Sequence, residues 1–199
     1  MSAPLPQEPC QAQAVPLPGA QKVTVRPARP QDTGIFQAYI RSLSPVSRRN
    51  RFLGALNELP ASELYGMTHE GHGSHPALIA ETVEGDTCTM VGEARYAVMP
   101  DGLTCEFAVS VADDWRRKAL GTFLVGIVAS RAKALGLRYL VGDVFRANDA
   151  MIALARRAGF AVTQPVADAR LIKITKDLSL PDAAQPWNEP ASPSWLIAA

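Results

Sequence analysis

Between Leu120 and Leu135 the apolar residues Leu120, Phe123, Leu124, Ile127, Val128 and Leu135 recur at three- and four-residue steps and stop before Gly136. This is the pattern of an amphipathic helix with a glycine just past its end. A strand-like run, LTCEFAVSV (103–111), precedes it, and a mostly apolar run of the buried type, LRYLVGDVF (137–145), follows. No other feature restricts the fold as much, and the class it sets is α/β.

The flanking segments extend the same alternation. KVTVRPA (22–28) reads as a short strand. DTGIFQAYIRSL (32–43) reads as a helix, with Ile35, Phe36, Tyr39, Ile40 and Leu43 at helical spacing. SPVSRRNRFLGAL (44–56) opens with Ser44 as cap and Pro45 as first helical residue, and PASELYGM (60–67) offers a further short helix. PALIAETVE (76–84), TCTMVGEARYAVM (87–99) and the 103–111 run are three strands joined by turns at Glu84-Gly85-Asp86 and Pro100-Asp101-Gly102, an antiparallel meander. NDAMIALARRAGF (148–160) is a helix capped by Asn148 and ended by Gly159, and AVTQPV and ARLIKITKDL supply the last strands.

The 199 residues suit one domain with two tails. Residues 1–21 form a proline-rich arm, residues 22–178 the domain, and residues 179–199 a tail whose Trp187 and Trp195 are expected to bury against the same chain or a twofold-related one, as a monomer or homodimer. Cys10, Cys88 and Cys105 are odd in number and lack metal-ligand spacing, which points to a reducing, cytoplasmic setting. No segment has the roughly 18 uninterrupted apolar residues of a membrane span. His69, His72 and His75 are separated by glycines and read as a loop, so no metal is expected. A net charge of +1 gives no global attraction to nucleic acid or membrane, and any anion site must be local.

Such a site is signalled by WRRKALGTF (115–123). Arg116, Arg117 and Lys118 precede a helix start, where the macrodipole already favours anions over cations. A helix N-terminus leaves backbone N–H groups without internal partners, and successive amides in the turn before it can form a concave nest. A diphosphate held there would reconcile three cations with the positive helix end, each charge-assisted hydrogen bond contributing about 1.5–3 kcal/mol.

CEFAVSVADDWRRKALGTFL, followed one helix and one strand later by NDAMIALARRAGF, resembles the GCN5-related N-acetyltransferase (GNAT) superfamily, and ARPQD and SRRNRF resemble a bacterial subgroup related to protein-acetyltransferase domains. The resemblance covers roughly residues 22–178. It implies a central mixed, mostly antiparallel sheet of about seven strands with helices on both faces, splayed at an acyl-CoA cleft. The family's signature, Arg or Gln, two residues, Gly, one residue, then Gly or Ala, falls on Arg116, Arg117, Lys118, Ala119, Leu120 and Gly121, with Ala119 where glycine is usual. Alanine keeps the amide donor but resists positive φ and adds a methyl, so cofactor binding is expected to survive if position 119 is helical and to suffer from strain if it must be left-handed.

The resemblance further implies acetyl-CoA as cosubstrate, with Val109, Ser110 and Val111 beside its pantetheine arm, residues 116–122 including Thr122 at its diphosphate, and Asn148 against the arm. It implies transfer of acetyl to a primary amine by direct attack. Glu106, central in an apolar strand, is the candidate base, or else an ordinary strand residue pointing to solvent or to Arg95. The tyrosine that the family often uses to protonate the leaving thiolate is replaced by Ala155. Arg48, Arg49 and Arg51 are candidates for gripping an acidic group on the acceptor. A module that binds acyl-CoA without turnover is the alternative.

Overall fold

The computed structural model describes residues 13–15, 17, 22–69, 77–84, 87–163 and 168–180. Strands β1 (Gln13–Val15), β2 (Val23–Pro27), β3 (Leu78–Glu84), β4 (Thr87–Val98), β5 (Thr104–Val111), β6 (Tyr139–Phe145), β7 (Ala161–Thr163) and β8 (Leu171–Asp177) form one sheet in the order β1-β2-β3-β4-β5-β6-β8-β7. Helices α1 (Thr33–Ser42), α2 (Pro45–Phe52) and α3 (Ala61–Thr68) connect β2 to β3, α4 (Leu120–Ala134) connects β5 to β6, and α5 (Asp149–Arg157) connects β6 to β7.

The element order matches the sequence reading, with one addition. Part of the proline-rich arm is ordered: Gln13–Val15 pairs antiparallel with β2, making eight strands where seven were expected. An edge strand of three residues bonds a neighbour on one side only, so prolines in the flanking sequence do not prevent it, and Val15 is buried. The tail with Trp187 and Trp195, and His72 and His75, lie outside the described residues.

β3, β4 and β5 form the antiparallel meander. Its second turn is held by Asp101, whose carboxylate accepts the N–H groups of Leu103 and Thr104, both at 2.9 Å, with Gly102 at φ +66°. β5 and β6 are parallel and register over three pairs only, Thr104↔Tyr139, Cys105↔Leu140 and Glu106↔Val141. Beyond that vertex the strands part.

Strand alternation divides β5 between two cores. Cys105 and Phe107, with Val109 and Val111, pack with Leu120, Leu124 and Val128 of α4 and Ala155 of α5. Ser110 faces the other way, toward Tyr39 of α1, on the side where Phe36, Ile40 and Leu43 of α1 pack with Leu64 and Met67 of α3. α2 sits over this second face. Ser44 caps it by accepting the Ser47 N–H at 3.2 Å, with Pro45 as its first residue.

Candidate active site

Where β5 and β6 part, a cleft of about 1490 Å³ opens, lined by Phe107–Val111 of β5, Gly142–Val144 of β6, the loop 113–119, the first turn of α4, and Asn148, Met151 and Leu154 at α5. Just past the last registered pair, Gly142 lets the strands lie close: a Cβ there would be a tight 3.3 Å from both the ring and the carbonyl oxygen of Phe107. On the α1–α3 side, Ser47, Asn50 and Arg51 reach the same space.

The basic loop enters α4 through two left-handed residues, Arg117 at φ +60° and Ala119 at φ +65°, with Ala119 as N-cap. Left-handed residues of this kind let successive amides form a concave nest, and the N–H groups at the start of α4 have no partner inside the helix. The three cations are handled separately. Arg116 pairs with Asp113 at 3.0 Å and donates to the Ser47 hydroxyl. Lys118 Nζ lies 4.7 Å from the Trp115 ring centre, and Arg117 is exposed.

Asp113 also accepts from the Ser44 N–H at 2.9 Å and the Ser47 hydroxyl at 2.7 Å, tying the N-terminus of α2 to the loop. Burial works to raise its pKa, but these donors and Arg116 hold the carboxyl below the usual range. The left-handed Ala119 is the strained alternative of the two that the sequence leaves open. Ala119→Gly is therefore expected to raise stability by about 1 kcal/mol, the αL penalty of an L-residue less the entropy that glycine adds to the unfolded chain. Thermal denaturation checks it: a rise of roughly 2–4 °C is expected, and a fall would show that the loop is unstrained.

Beneath the cleft lies a buried polar chain. Arg51 of α2 holds both carboxylate oxygens of Glu93 of β4 through one guanidinium edge, Nε donating to Oε1 and Nη2 to Oε2 at 3.0 Å. Ser110 donates to Glu93 Oε1 at 2.7 Å, and the Tyr39 hydroxyl completes the chain at 2.9 Å from Ser110 Oγ. Glu93 is fully buried. Burial, then the Glu93 carboxylate, push the Tyr39 hydroxyl far above its usual value. Burial lowers the Arg51 pKa, but Glu93 outweighs it and holds the guanidinium charged. Nothing in the sequence reading singled out Glu93, although a lone carboxylate inside MVGEARYAV is the same signal that drew attention to Glu106.

The predicted residues separate into three groups. Val109, Ser110, Val111, Arg116, Arg117, Lys118, Ala119, Gly121, Thr122 and Asn148 all line the cleft, and Leu120 points instead into the core. Asn148 Oδ1 accepts the Met151 N–H at 3.2 Å, so it caps α5 as well as facing the cleft.

Glu106 is exposed and opposite Ala97, not buried, because alternation places it on the face away from α4, beyond the cover of α1. It stands beside Val141 in the last registered pair and is not among the residues lining the cleft. Arg48 is not available to an acceptor: its guanidinium donates to the carbonyls of Arg41, Leu43 and Leu56, which fasten the α1–α2 turn. Arg51 is committed to Glu93, and Arg49 lies 4.8 Å from the Phe145 ring centre, bridging α2 to β6.

A mixed sheet that opens between two parallel strands in front of a helix N-terminus is the arrangement expected of an acyltransferase that takes its acyl group from coenzyme A. Comparison with known proteins bears this out. The model of the acetyltransferase (GNAT) family matches residues 46–160, and the chain belongs to that family. Acetyltransferase PA5475 of Pseudomonas aeruginosa is 31% identical over 144 residues, which are 72% of this chain and 77% of that protein. The L-methionine sulfoximine/L-methionine sulfone acetyltransferase of the same species is 36% identical over 93 residues, 45% of this chain and 52% of that one. Among solved structures, the GNAT domain of S. lividans PAT superposes with a TM-score of 0.73 at 20% identity, covering 83% of this chain and 96% of that domain. The Salmonella typhimurium yncA structure, which contains acetyl-CoA, gives 0.56 at 23% identity, covering 81% and 99%. These structures share the fold. The chain is thus an N-acetyltransferase, and among its described residues no helix is long and apolar enough to cross a membrane.

Proposed function

We propose that this enzyme seats acetyl-CoA with its diphosphate on the amides of residues 117–122 and its pantetheine arm along β5, and that it acetylates a primary amine by direct attack. The observation that carries this reading is the pair of left-handed residues, Arg117 and Ala119, set at the start of α4 and facing a cleft large enough for the cosubstrate. A non-glycine residue held at positive φ costs free energy, and such strain is retained where backbone donors must converge on a ligand.

The thioester supplies an activated acetyl carbon: the amine nitrogen bonds to it, the carbon–sulfur bond breaks, the thiolate leaves with the electron pair and ends as the thiol, and the nitrogen loses its excess protons. Those backbone N–H groups of Phe107–Val111 that point away from β4, on the edge no longer registered with β6, are the donors that can bond the arm and polarise the carbonyl. About one alkyl amine in two thousand is neutral at pH 7, so a base accelerates the attack. Glu93 is committed to Arg51 and Ser110, whereas Glu106 stands in the last registered pair in contact with solvent, and it takes the proton through one water. With Ala155 buried where the family often has tyrosine, the leaving thiolate takes its proton from solvent or from the departing ammonium.

Arg117→Glu combined with Lys118→Glu is expected to weaken acetyl-CoA binding by roughly tenfold or more, with little change in melting temperature. Calorimetric titration measures the first, and thiol release with a panel of primary amines measures transfer. Unchanged affinity removes the diphosphate site. Binding without thiol release for every amine leaves a non-catalytic acyl-CoA module.

A further inference from the structure

We infer that Arg116, although it stands first in the signature before α4, is not a diphosphate ligand in this enzyme. It is a positioning residue that acts through Asp113 and Ser47, locking α2 to the cofactor loop and so fixing the wall of the cleft that α2 supplies. The inference rests on the acetyl-transfer reading above, in which the diphosphate sits on the amides of residues 117–122.

Arg116 closes a polar cluster that joins two distant parts of the chain. Asp113 accepts from the Ser44 N–H at 2.9 Å, the Ser44 hydroxyl at 3.2 Å and the Ser47 hydroxyl at 2.7 Å, all at the N-terminal end of α2, and pairs with Arg116 at 3.0 Å. The same Arg116 nitrogen, Nη2, donates to the Ser47 hydroxyl. An isolated exposed ion pair would hold little, but here several donors share one carboxylate and Ser47 is buried. One turn further along α2, Arg51 is anchored to Glu93, which also receives Ser110 of β5. α2 is thus fastened at Ser47 and at Arg51, and both residues line the cleft together with Asn50 between them.

The same contacts withdraw Arg116 from the anion site. Its charge is matched by Asp113, whose carboxyl is held below the usual range and is therefore ionised at neutral pH. A diphosphate meets a cancelled pair at Arg116, whereas Arg117 is exposed and forms no ion pair among the described residues. The backbone separates the two, Arg116 being extended at φ −69° and ψ 157° and Arg117 left-handed. α4 and α5 pack on one face of the sheet and α2 lies over the other, beside Tyr39 and Ser110. A shift of α2 therefore disturbs the wall opposite the diphosphate seat and leaves the seat itself in place.

Arg116→Met removes the charge and keeps the stem, and Ser47→Ala cuts the same link while leaving the Arg116 charge in place. Calorimetric titration of acetyl-CoA is expected to give affinities within about twofold of the parent for both, in contrast to the loss expected for Arg117→Glu with Lys118→Glu. In thiol release with N-α-acetyl-L-lysine methylamide as the probe amine, both are expected to lower kcat by roughly tenfold with the acetyl-CoA KM within about twofold, because the link sets geometry and not cofactor affinity. The double variant is expected to be no slower than the slower single variant, since the two side chains form one link.

An Arg116→Met variant that binds acetyl-CoA tenfold or more weakly makes Arg116 a diphosphate ligand and overturns the proposal. Parental kcat in the single variants overturns it too, as does a double variant whose loss is the product of the two. Failure of the acetyl-transfer reading looks different: the parent then releases no thiol with the probe or with any other primary amine. In that event hydrogen exchange of the α2 amides decides together with the titrations. Faster exchange over residues 48–52 in both variants, with α1 unchanged and acetyl-CoA affinity retained, supports the link, and parental exchange overturns it.

Discussion

Glu93→Gln is expected to cost about 3–5 kcal/mol of stability, because it leaves the Arg51 guanidinium buried without its counter-charge. For a chain of this size the thermal midpoint should fall by roughly 6–20 °C. The loss has a specific origin that a second variant isolates. Arg51→Met together with Glu93→Met replaces the pair by apolar side chains of similar volume and is expected to recover most of the stability, since neither charge is then left in the core. Urea denaturation of the parent, the single variant and the double variant at pH 7 decides it. A single variant as stable as the parent would mean that water reaches Arg51, and that the chain Arg51–Glu93–Ser110–Tyr39 is not a dry foundation for β5.

The second large effect is on turnover. If Glu106 receives the acceptor's proton, Glu106→Gln is expected to lower kcat by about 10²–10³-fold while acetyl-CoA affinity and melting temperature stay at parental values. Stability should hold because Glu106 is exposed, so its replacement by an isosteric amide neither opens a cavity nor strands a buried charge. Steady-state rates with a productive amine, together with an acetyl-CoA titration, provide the measurement. Parental turnover would assign Glu106 to the surface of the sheet and leave proton removal to water.

These two carboxylates illustrate how far the sequence can be read. Each is a single acid within an apolar run, CEFAV for one and VGEAR for the other. Alternation alone shows that both are unusual and cannot tell them apart. One is buried, because register places Glu93 opposite Ser110 and α2 folds Arg51 over it. The other is exposed, because it lies where the cover of the helices ends. The three arginines of SRRNRF were equally alike in sequence, yet one fastens a turn, one lies on Phe145 and one neutralises Glu93.

What the sequence determined by itself was local. Helical spacing from Leu120 to Leu135, the Ser44-Pro45 cap, the turn at Pro100-Asp101-Gly102 and the basic stretch before α4 are set by interactions within about a dozen residues, and from them followed the element order, the family and the residues of the basic loop that line the cleft. Tertiary structure alone decided the sign of φ at Ala119, the point at which β5 and β6 stop pairing, the added strand at Gln13–Val15 and the fate of each charge near the vertex. The physical reason is that periodicity fixes which face of an element is apolar but not which element covers it. Desolvation and ion pairing, which decide whether a carboxylate is a buried foundation or an exposed charge, depend on that cover.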